Sequence, residues 1–166
     1  VYEFSDFARM PKPILKENNL IQIINENIGL LLELDRNIKI KFTHKEKQIF
    51  LTSDYEQLSR VFLNIIKNAI ESIQERFVKT SNYKGKIDLE LNDNDDYLVF
   101  TIIDNGKGFD ELGGKIKDIL NPYFTTKKKG TGLGLAIVNK IINDHNGSIN
   151  FISLNEGAKI EIKFKK

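Results

Sequence analysis

The chain has 166 residues, 40% of them hydrophobic and 29% charged, which predicts one compact domain with a real core and excludes a disordered chain. It contains no cysteine, so disulfides, thiolate catalysis and cysteine-ligated zinc are excluded. The net charge of +2 predicts no nucleic-acid partner. No apolar run approaches the roughly 20 residues that span a bilayer, so we expect no direct membrane contact by this chain.

The first predicted element is a short helix with an apolar stripe over residues 1–10, which Pro11 and Pro13 end. A helix of about ten residues is marginal alone in water. We therefore expect either a frayed tail or the end of a helical bundle whose other helices lie outside this chain.

Next, an amphipathic helix is predicted over residues 19–34. Residues 38–42 and 49–51 alternate as strands do, and the polar turn at 45–47 between them predicts that they form a hairpin. A long helix should start near Asp54, where Ser53 and Asp54 each have a capping-box partner three residues later. Its expected buried stripe consists of Leu58, Phe62, Ile65, Ala69 and Ile73.

The second half repeats this pairing of strands. Strands are predicted at 86–91 and 97–103, and again at 148–154 and 158–164, with a helix over about 132–146 between the two pairs. The connecting segment from Asp104 to Gly134 holds seven of the eleven glycines, and a connection this long is usually functional. Paired strands predict an α+β fold, a two-layer sandwich of a mixed, largely antiparallel sheet with helices on one face.

Two polar clusters are candidates for binding chemistry. Asn64 and Asn68 lie one helical turn apart, away from the apolar stripe, and Glu71 follows on the same face. Their oxygens suit a hard cation, and their amides suit phosphates, although two such residues alone are more often surface side chains. Asp104, followed by Gly106 and Gly108, stands at a strand end, where a carboxylate accepts hydrogen bonds and glycines let a ligand come close.

A third cluster, at residues 130–134, is a glycine-rich opening to a helix. Exposed N–H groups and the helix dipole favour an anion there, and phosphate is the expected ligand. Because no Gly-Lys-Ser/Thr ends the cluster, it is not a P-loop. Without the neighbouring glycines, the adjacent basic run at 127–129 would be interpreted as a solvated loop.

The order of these motifs, with the aromatic segment 121–124 between the last two, resembles the N, G1, F and G2 boxes of histidine-kinase catalytic domains. Those domains belong to the ATPase superfamily shared with gyrase, Hsp90 and MutL. The resemblance covers roughly residues 19–164 and implies the Bergerat ATP-binding fold. Residues 3–13 resemble the end of the second dimerisation helix in nitrogen-regulation sensor kinases of the NtrY type.

The resemblance implies a role for each motif. Asp104 would recognise the adenine amino group, with Gly106 and Gly108 beside the base, and Asn68 would ligate Mg²⁺ with support from Asn64. Glu71 would lie in the same nucleotide site. The lid, about 109–131, and the helix after it would contribute the remaining nucleotide-binding residues, which are Phe124, Lys127, Lys128, Gly130, Thr131, Gly132, Leu133 and Gly134.

One position departs from the ATP-hydrolysing members of the superfamily. They carry a glutamate as general base one turn before the metal-binding asparagine, where this chain has Asn64. An amide cannot take a proton, which favours phosphoryl transfer to a partner over hydrolysis. Asn64 and Asn68 are thus the predicted catalytic residues. His44 and His145 are expected to be structural rather than phosphoacceptors, His145 as a cation favoured by a helix dipole.

The resemblance therefore implies the Mg·ATP-binding catalytic domain of a sensor histidine kinase. Residues 1–13 would be the end of a dimerisation helix and a linker, and 14–166 the catalytic domain. The expected partners are the kinase's own phosphoacceptor domain and, through the full-length kinase, a response regulator; the fragment alone should be monomeric. Its expected place is the cytoplasmic side of a membrane-anchored sensor. The alternatives are an anti-sigma-factor serine kinase and a nucleotide-binding module without transfer activity.

Overall fold

The computed structural model describes residues 10–109 and 134–166. Its main layer is a five-stranded sheet in the order β2-β4-β5-β7-β6. These strands are β2 (Ile38–His44), β4 (Gly85–Asp93), β5 (Tyr97–Asp104), β6 (Gly147–Ser153) and β7 (Ala158–Lys165). β2 runs parallel to β4, and every other neighbouring pair is antiparallel. The sheet is therefore mixed and largely antiparallel, as the sequence predicts.

The second layer consists of three helices on one face of this sheet. They are α1 (Leu20–Leu31), α2 (Tyr55–Arg76) and α3 (Gly134–Asp144). The predicted stripe of α2 is buried along its whole length, from Leu58 to Ile73. It packs on the inward side chains of the central strands, where Phe62 meets Phe100 of β5 edge to face at 5.0 Å. This confirms the two-layer α+β sandwich.

The predicted hairpin between residues 38–42 and 49–51 is wrong. β2 pairs with β4, whereas β3 (Phe50–Ser53) pairs with β1 (Lys16–Asn19) in a separate two-stranded antiparallel sheet. Alternation of apolar residues shows which face of a strand is buried, but it does not identify the neighbouring strand. The two strands are consecutive in sequence and belong to different sheets.

Side-chain caps set the starts of the first two helices. Asn19 accepts a hydrogen bond from the Ile21 amide at 3.2 Å, so α1 begins at Leu20. Asp54 caps α2 by accepting from the Gln57 amide at 3.0 Å. Of the two capping positions suggested by the sequence, Asp54 is the one used. α3 ends at Asp144, and Asn146, with a φ of 57°, supplies the left-handed turn after it.

Candidate nucleotide-binding site

Asp104 lies on the core side of the sheet at the end of β5. Inward residues alternate along this strand from Leu98 through Phe100 and Ile102, and Asp104 occupies the next inward position. Its neighbours in the sheet are Ile87 of β4 and Ala158 of β7. The side chain is only 6% exposed, so the period of the strand places a carboxylate where an apolar residue is the rule.

This environment raises the pKa of Asp104 from 3.8 to about 6, because burial removes water from the charged form. A hydrogen bond from the Gly106 amide to Oδ1, at 2.8 Å, acts in the opposite direction. Within the described residues it is the single hydrogen bond to this carboxylate. Asp104 therefore keeps acceptor capacity in an apolar setting, where a donor from a ligand has its greatest effect.

Asn105 holds the loop after Asp104 against the start of β4. Its Oδ1 accepts from the Lys86 amide at 2.8 Å, and its Nδ2 donates to the Lys84 carbonyl at 2.9 Å. The carbonyl of Asn105 in turn accepts from Arg76 Nη1 at 2.7 Å. The side chain that a plain Asp-Asn-Gly turn would leave in solvent is thus fully used in fixing the position of Asp104.

Ser72 joins α2 to the same loop. Its hydroxyl accepts from the Lys107 amide at 3.1 Å, and its carbonyl accepts from that amide at 3.2 Å. Gly106 packs so tightly on Ser72 that a Cβ there would overlap the hydroxyl. One turn further along, Glu75 pairs with the Lys107 ammonium group. The loop therefore rests on one face of α2.

The same face carries Asn64 and Asn68. Together with Ser72 they follow at intervals of four residues, so all three lie along one side of α2. Asn64, Asn68 and Glu71 are half-buried, in contrast to the fully buried stripe that faces the sheet. The structure thus places the predicted amides and the Asp104 loop on one side of one helix, which spacing in the sequence alone does not establish.

Two glycines with left-handed backbone bring the β6–β7 turn against this loop. Gly108 has a φ of 72° and Gly157 a φ of 93°. A Cβ at Gly108 would lie 2.7 Å from the Gly157 carbonyl oxygen, and one at Gly157 would overlap the carbonyl of Asp104. The tip of the hairpin therefore forms part of the support for the carboxylate.

A groove of about 510 Å³ runs along the outer side of the loop. Its charged walls already pair with each other, Lys107 with Glu75, and Arg76 with Glu156 at 3.9 Å. These contacts brace the loop from outside. The groove is lined by Glu75, Arg76, Gly106, Lys107, Asn155, Glu156 and Gly157.

The remaining predicted site residues divide into two groups. Gly134 opens α3, and no atom of the described residues lies within 4 Å of the place where a Cβ would stand. Phe124, Lys127, Lys128, Gly130, Thr131, Gly132 and Leu133 lie outside the described residues, as does most of the predicted lid.

Sequence reasoning missed three residues that position Asp104: Ser72, Asn105 and Gly157. Ser72 has a signal in its spacing, four residues after Asn68 on the same helical face. Gly157 lies in a predicted turn, and its signal is a left-handed φ that only the fold reveals. The contacts of Asn105 reach back 21 residues to Lys84, which no local pattern discloses.

Among residues 10–109 and 134–166, no group of three His, Cys, Asp or Glu side chains stands ready to hold a metal ion. Amide oxygens together with the oxygens of a phosphate ligand are donors that suit Mg²⁺. Asn64 and Asn68 carry such amide oxygens. No helix in the described part of the chain is long and apolar enough to cross a membrane.

Comparisons with known proteins identify the family of this chain. Residues 53–166 match the family of histidine kinase-, DNA gyrase B-, and HSP90-like ATPases. A Rickettsia felis protein named as an NtrY-like sensor histidine kinase is 37% identical over 166 residues, 99% of this chain and 26% of that protein. The chain therefore spans about a quarter of that relative.

Solved structures of histidine kinases are also similar to this chain. The catalytic domain of histidine kinase ThkA is 31% identical, with a TM-score of 0.77 over 92% of this chain and 95% of that one. ThkA in complex with the response regulator TrrA is 28% identical, with a TM-score of 0.73 over 92% and 42%. The chain belongs to the family of histidine kinase-, DNA gyrase B-, and HSP90-like ATPases and is a histidine-kinase catalytic domain, similar in sequence to part of NtrY-like sensor kinases.

Proposed function

We propose that this domain binds Mg·ATP and donates the γ-phosphoryl group to a histidine on a dimerisation domain outside the chain, in two-component signal transduction. The observation that carries the proposal is the buried Asp104 carboxylate, which is held by backbone and glycine contacts and keeps acceptor capacity. The exocyclic amino group of adenine is a donor of the right kind. Guanine presents a carbonyl at that position, which would meet the carboxylate lone pair to lone pair.

The phosphates would lie toward Asn64 and Asn68 and the start of α3. Asn68 would ligate Mg²⁺ through its amide oxygen, Asn64 would assist from one turn earlier, and Glu71 would border the same site. Bound Mg²⁺ would neutralise part of the phosphate charge. Gly134 and the residues before it, Phe124, Lys127, Lys128, Gly130, Thr131, Gly132 and Leu133, would complete the lid and phosphate contacts.

The chemistry of Asn64 favours transfer to an imidazole. A water nucleophile must lose a proton as it attacks phosphorus, and an amide cannot accept that proton. A neutral imidazole attacks with a nitrogen lone pair that is already available. A P–N bond then forms, the bond from phosphorus to the bridging oxygen breaks, and ADP leaves with that oxygen. The protein's part is to position ATP and hold its charge.

The wider organisation is part of the proposal. Residues 1–13 would be the end of a dimerisation helix and its linker, followed by a catalytic domain at 14–166 with a lid at about 109–131. The TrrA complex of ThkA supports a response regulator as partner of the whole kinase. The parent protein would be a membrane-anchored sensor with this domain in the cytoplasm, and the domain by itself would be a monomer.

The test supplies labelled ATP to the chain alone and then with a dimerisation domain that contains the acceptor histidine. We expect ATP binding in both cases, little phosphate release from the chain alone, and an acid-labile, base-stable phosphohistidine on the added domain. Label on His44 or His145, or brisk phosphate release without the added domain, would contradict the proposed chemistry. An acid-stable, base-labile phosphate on a serine of a partner would favour the serine-kinase alternative. Binding without any transfer would favour a non-catalytic nucleotide module.

A further inference from the structure

His145 connects the end of α3 to the start of α2. The imidazole is 6% exposed, its Nδ1 lies 2.7 Å from the Ile141 carbonyl, and its Nε2 lies 3.0 Å from the Asp54 amide nitrogen. A carbonyl can only accept and an amide N–H can only donate. The ring is therefore neutral, with its proton on Nδ1 and a lone pair on Nε2. The cationic helix-end role suggested by the sequence does not suit these two partners.

Asp54 in turn connects α2 to the segment that enters the domain. Its Oδ1 caps the helix, while its Oδ2 accepts from the Ile14 amide at 2.8 Å. The amide of Gln57 adds a bond from Nε2 to the Pro11 carbonyl at 3.1 Å. One cap residue thus receives the entering segment on one side and His145 on the other.

We infer that His145 is a positioning residue that couples the entering segment, residues 11–14, to the two helices on which the nucleotide site is built. The part of the inference that concerns ATP rests on the proposed function. α2 carries Asn64 and Asn68, and α3 begins at Gly134. The start of α2 and the end of α3 meet at Asp54, which caps α2 through its side chain and donates its amide proton to His145 at the end of α3. A shift of the entering segment therefore acts on both helices through one residue.

The physical basis is the stiffness of helices. Asn64 lies ten residues after Asp54, or about 15 Å along α2, and Gly134 lies about 15 Å from the other end of α3 at 1.5 Å per residue. Packed helices move as units, so a displacement at one end is carried to the other. Hydrogen bonds between rigid elements are the kind of network that transmits such coupling.

Asp54 forms a junction between the entering segment and the two helices, and the contacts to the entering segment are the weaker half of it. Gln57 Oε1 is buried and, within the described residues, has no hydrogen-bond partner. The Ile14 side chain is 73% exposed, so little packing holds residues 11–14 beyond their hydrogen bonds. The His145 side, by contrast, is buried. The structure assigns the fixed part of the junction to the helices and the releasable part to the entering segment.

Two substitutions at position 145 distinguish a coupling of the entering segment to the helices from a role limited to the end of α3. His145→Gln places an acceptor near the position of Nε2 and retains the bond from the Asp54 amide. His145→Asn reaches only the position of Nδ1 and retains the bond to Ile141. His44→Gln, at the end of β2, is the control. Amide hydrogen exchange at Ile14 and Asp54 is measured without nucleotide, and ATP affinity is measured by calorimetry.

We expect His145→Asn to speed exchange at both Ile14 and Asp54 about fivefold, while His145→Gln and His44→Gln stay within twofold of wild type. We also expect the affinity for ATP to fall about fivefold in His145→Asn alone, which is the low end of known couplings between sites. A role confined to the end of α3 would leave Ile14 exchange unchanged in His145→Asn, and that result overturns the inference. Equal behaviour of the Asn and Gln variants also overturns it.

A second pair of variants guards against misfolding at the buried position. Ile14→Pro removes the amide proton that Asp54 accepts, whereas Ile14→Ala keeps it, and the side chain is exposed in both cases. Weaker ATP binding in Ile14→Pro alone supports the coupling, and equal affinity in the two variants overturns it. If the wild type binds no ATP, the proposed function fails, while the exchange rates measured without nucleotide still decide whether the junction exists.

Discussion

The backbone carbonyl of Asp104 lies directly against the Cα of Gly157, which leaves no room for a side chain at that glycine. Gly157 also has a φ of 93°, where residues other than glycine are strained. Gly157→Ala should therefore push the hairpin tip away from the Asp104 loop. We expect a loss of about 2–4 kcal/mol in the free energy of unfolding, measured by urea denaturation, and weaker ATP binding.

Gly29→Ala is the matched control for that prediction. Gly29 lies inside α1, and within the described part of the chain no atom comes within 4 Å of an added Cβ. Alanine there should raise the free energy of unfolding by up to about 1 kcal/mol, because it limits the unfolded chain and favours the helix. An equal loss of stability in both variants would show that the Gly157 contact is not the cause.

Asp104→Asn should stabilise the protein without nucleotide. The folded-state pKa of Asp104 is raised from 3.8 to about 6, so its contribution to stability is complete below pH 3.8 and is lost as pH rises through about 6. A neutral amide escapes that loss. We expect a gain of about 1–3 kcal/mol at pH 7.5, since one pKa unit is worth about 1.4 kcal/mol. The gain should vanish near pH 4, where the wild-type side chain is itself neutral.

The same substitution should impair recognition of the base. Removing a charged acceptor from a hydrogen bond costs about 1.5–3 kcal/mol, which calorimetry would detect for both ATP and ADP. The wild type should bind GTP poorly. Equal affinity for ATP and GTP would show that Asp104 does not read the adenine amino group.

ATP affinity should fall as pH falls through about 6, because protonation of Asp104 removes the acceptor. From pH 7.5 to pH 5 the loss due to this group should be about tenfold for a pKa near 6. ATP phosphates titrate in the same range, so the reference is Asp104→Asn, which retains the phosphate contribution alone. Identical pH profiles for the two proteins would contradict the prediction.

Asn68→Ala should weaken Mg·ATP binding far more than binding of metal-free ATP. The amide oxygen is a ligand only when the ion is present, and Mg²⁺ tolerates few imperfect coordination sites. The measurement is a pair of titrations, one with Mg²⁺ and one with a chelator. Glu71→Gln on the same helical face provides a neighbouring comparison, and equal losses with and without Mg²⁺ in Asn68→Ala would remove Asn68 from the metal site.

Much of this architecture follows from local patterns. Helical spacing identifies the buried stripe of α2 from Leu58 to Ile73, and alternation identifies the strand at 97–103, which is β5 in the structure. These predictions succeed because the periods of helix and strand decide which side of an element meets the core. The order of the motifs then indicates the family. The chemistry of each site residue was readable from its side chain, and Asn64 in place of a glutamate needs no structure to be noticed.

Only the tertiary structure decided which elements are neighbours. Residues 38–42 and 49–51 have the pattern of a hairpin, yet β2 pairs with β4 and β3 with β1. His145 bonds to Asp54 across 91 residues, and the Asp104 loop is held by Ser72 from α2 and by Gly157 from the β6–β7 turn. A sequence period reports whether a residue faces the core, which is a property of one element. Partner choice depends on how several elements bury their faces together, and that energy exists only in the assembled fold.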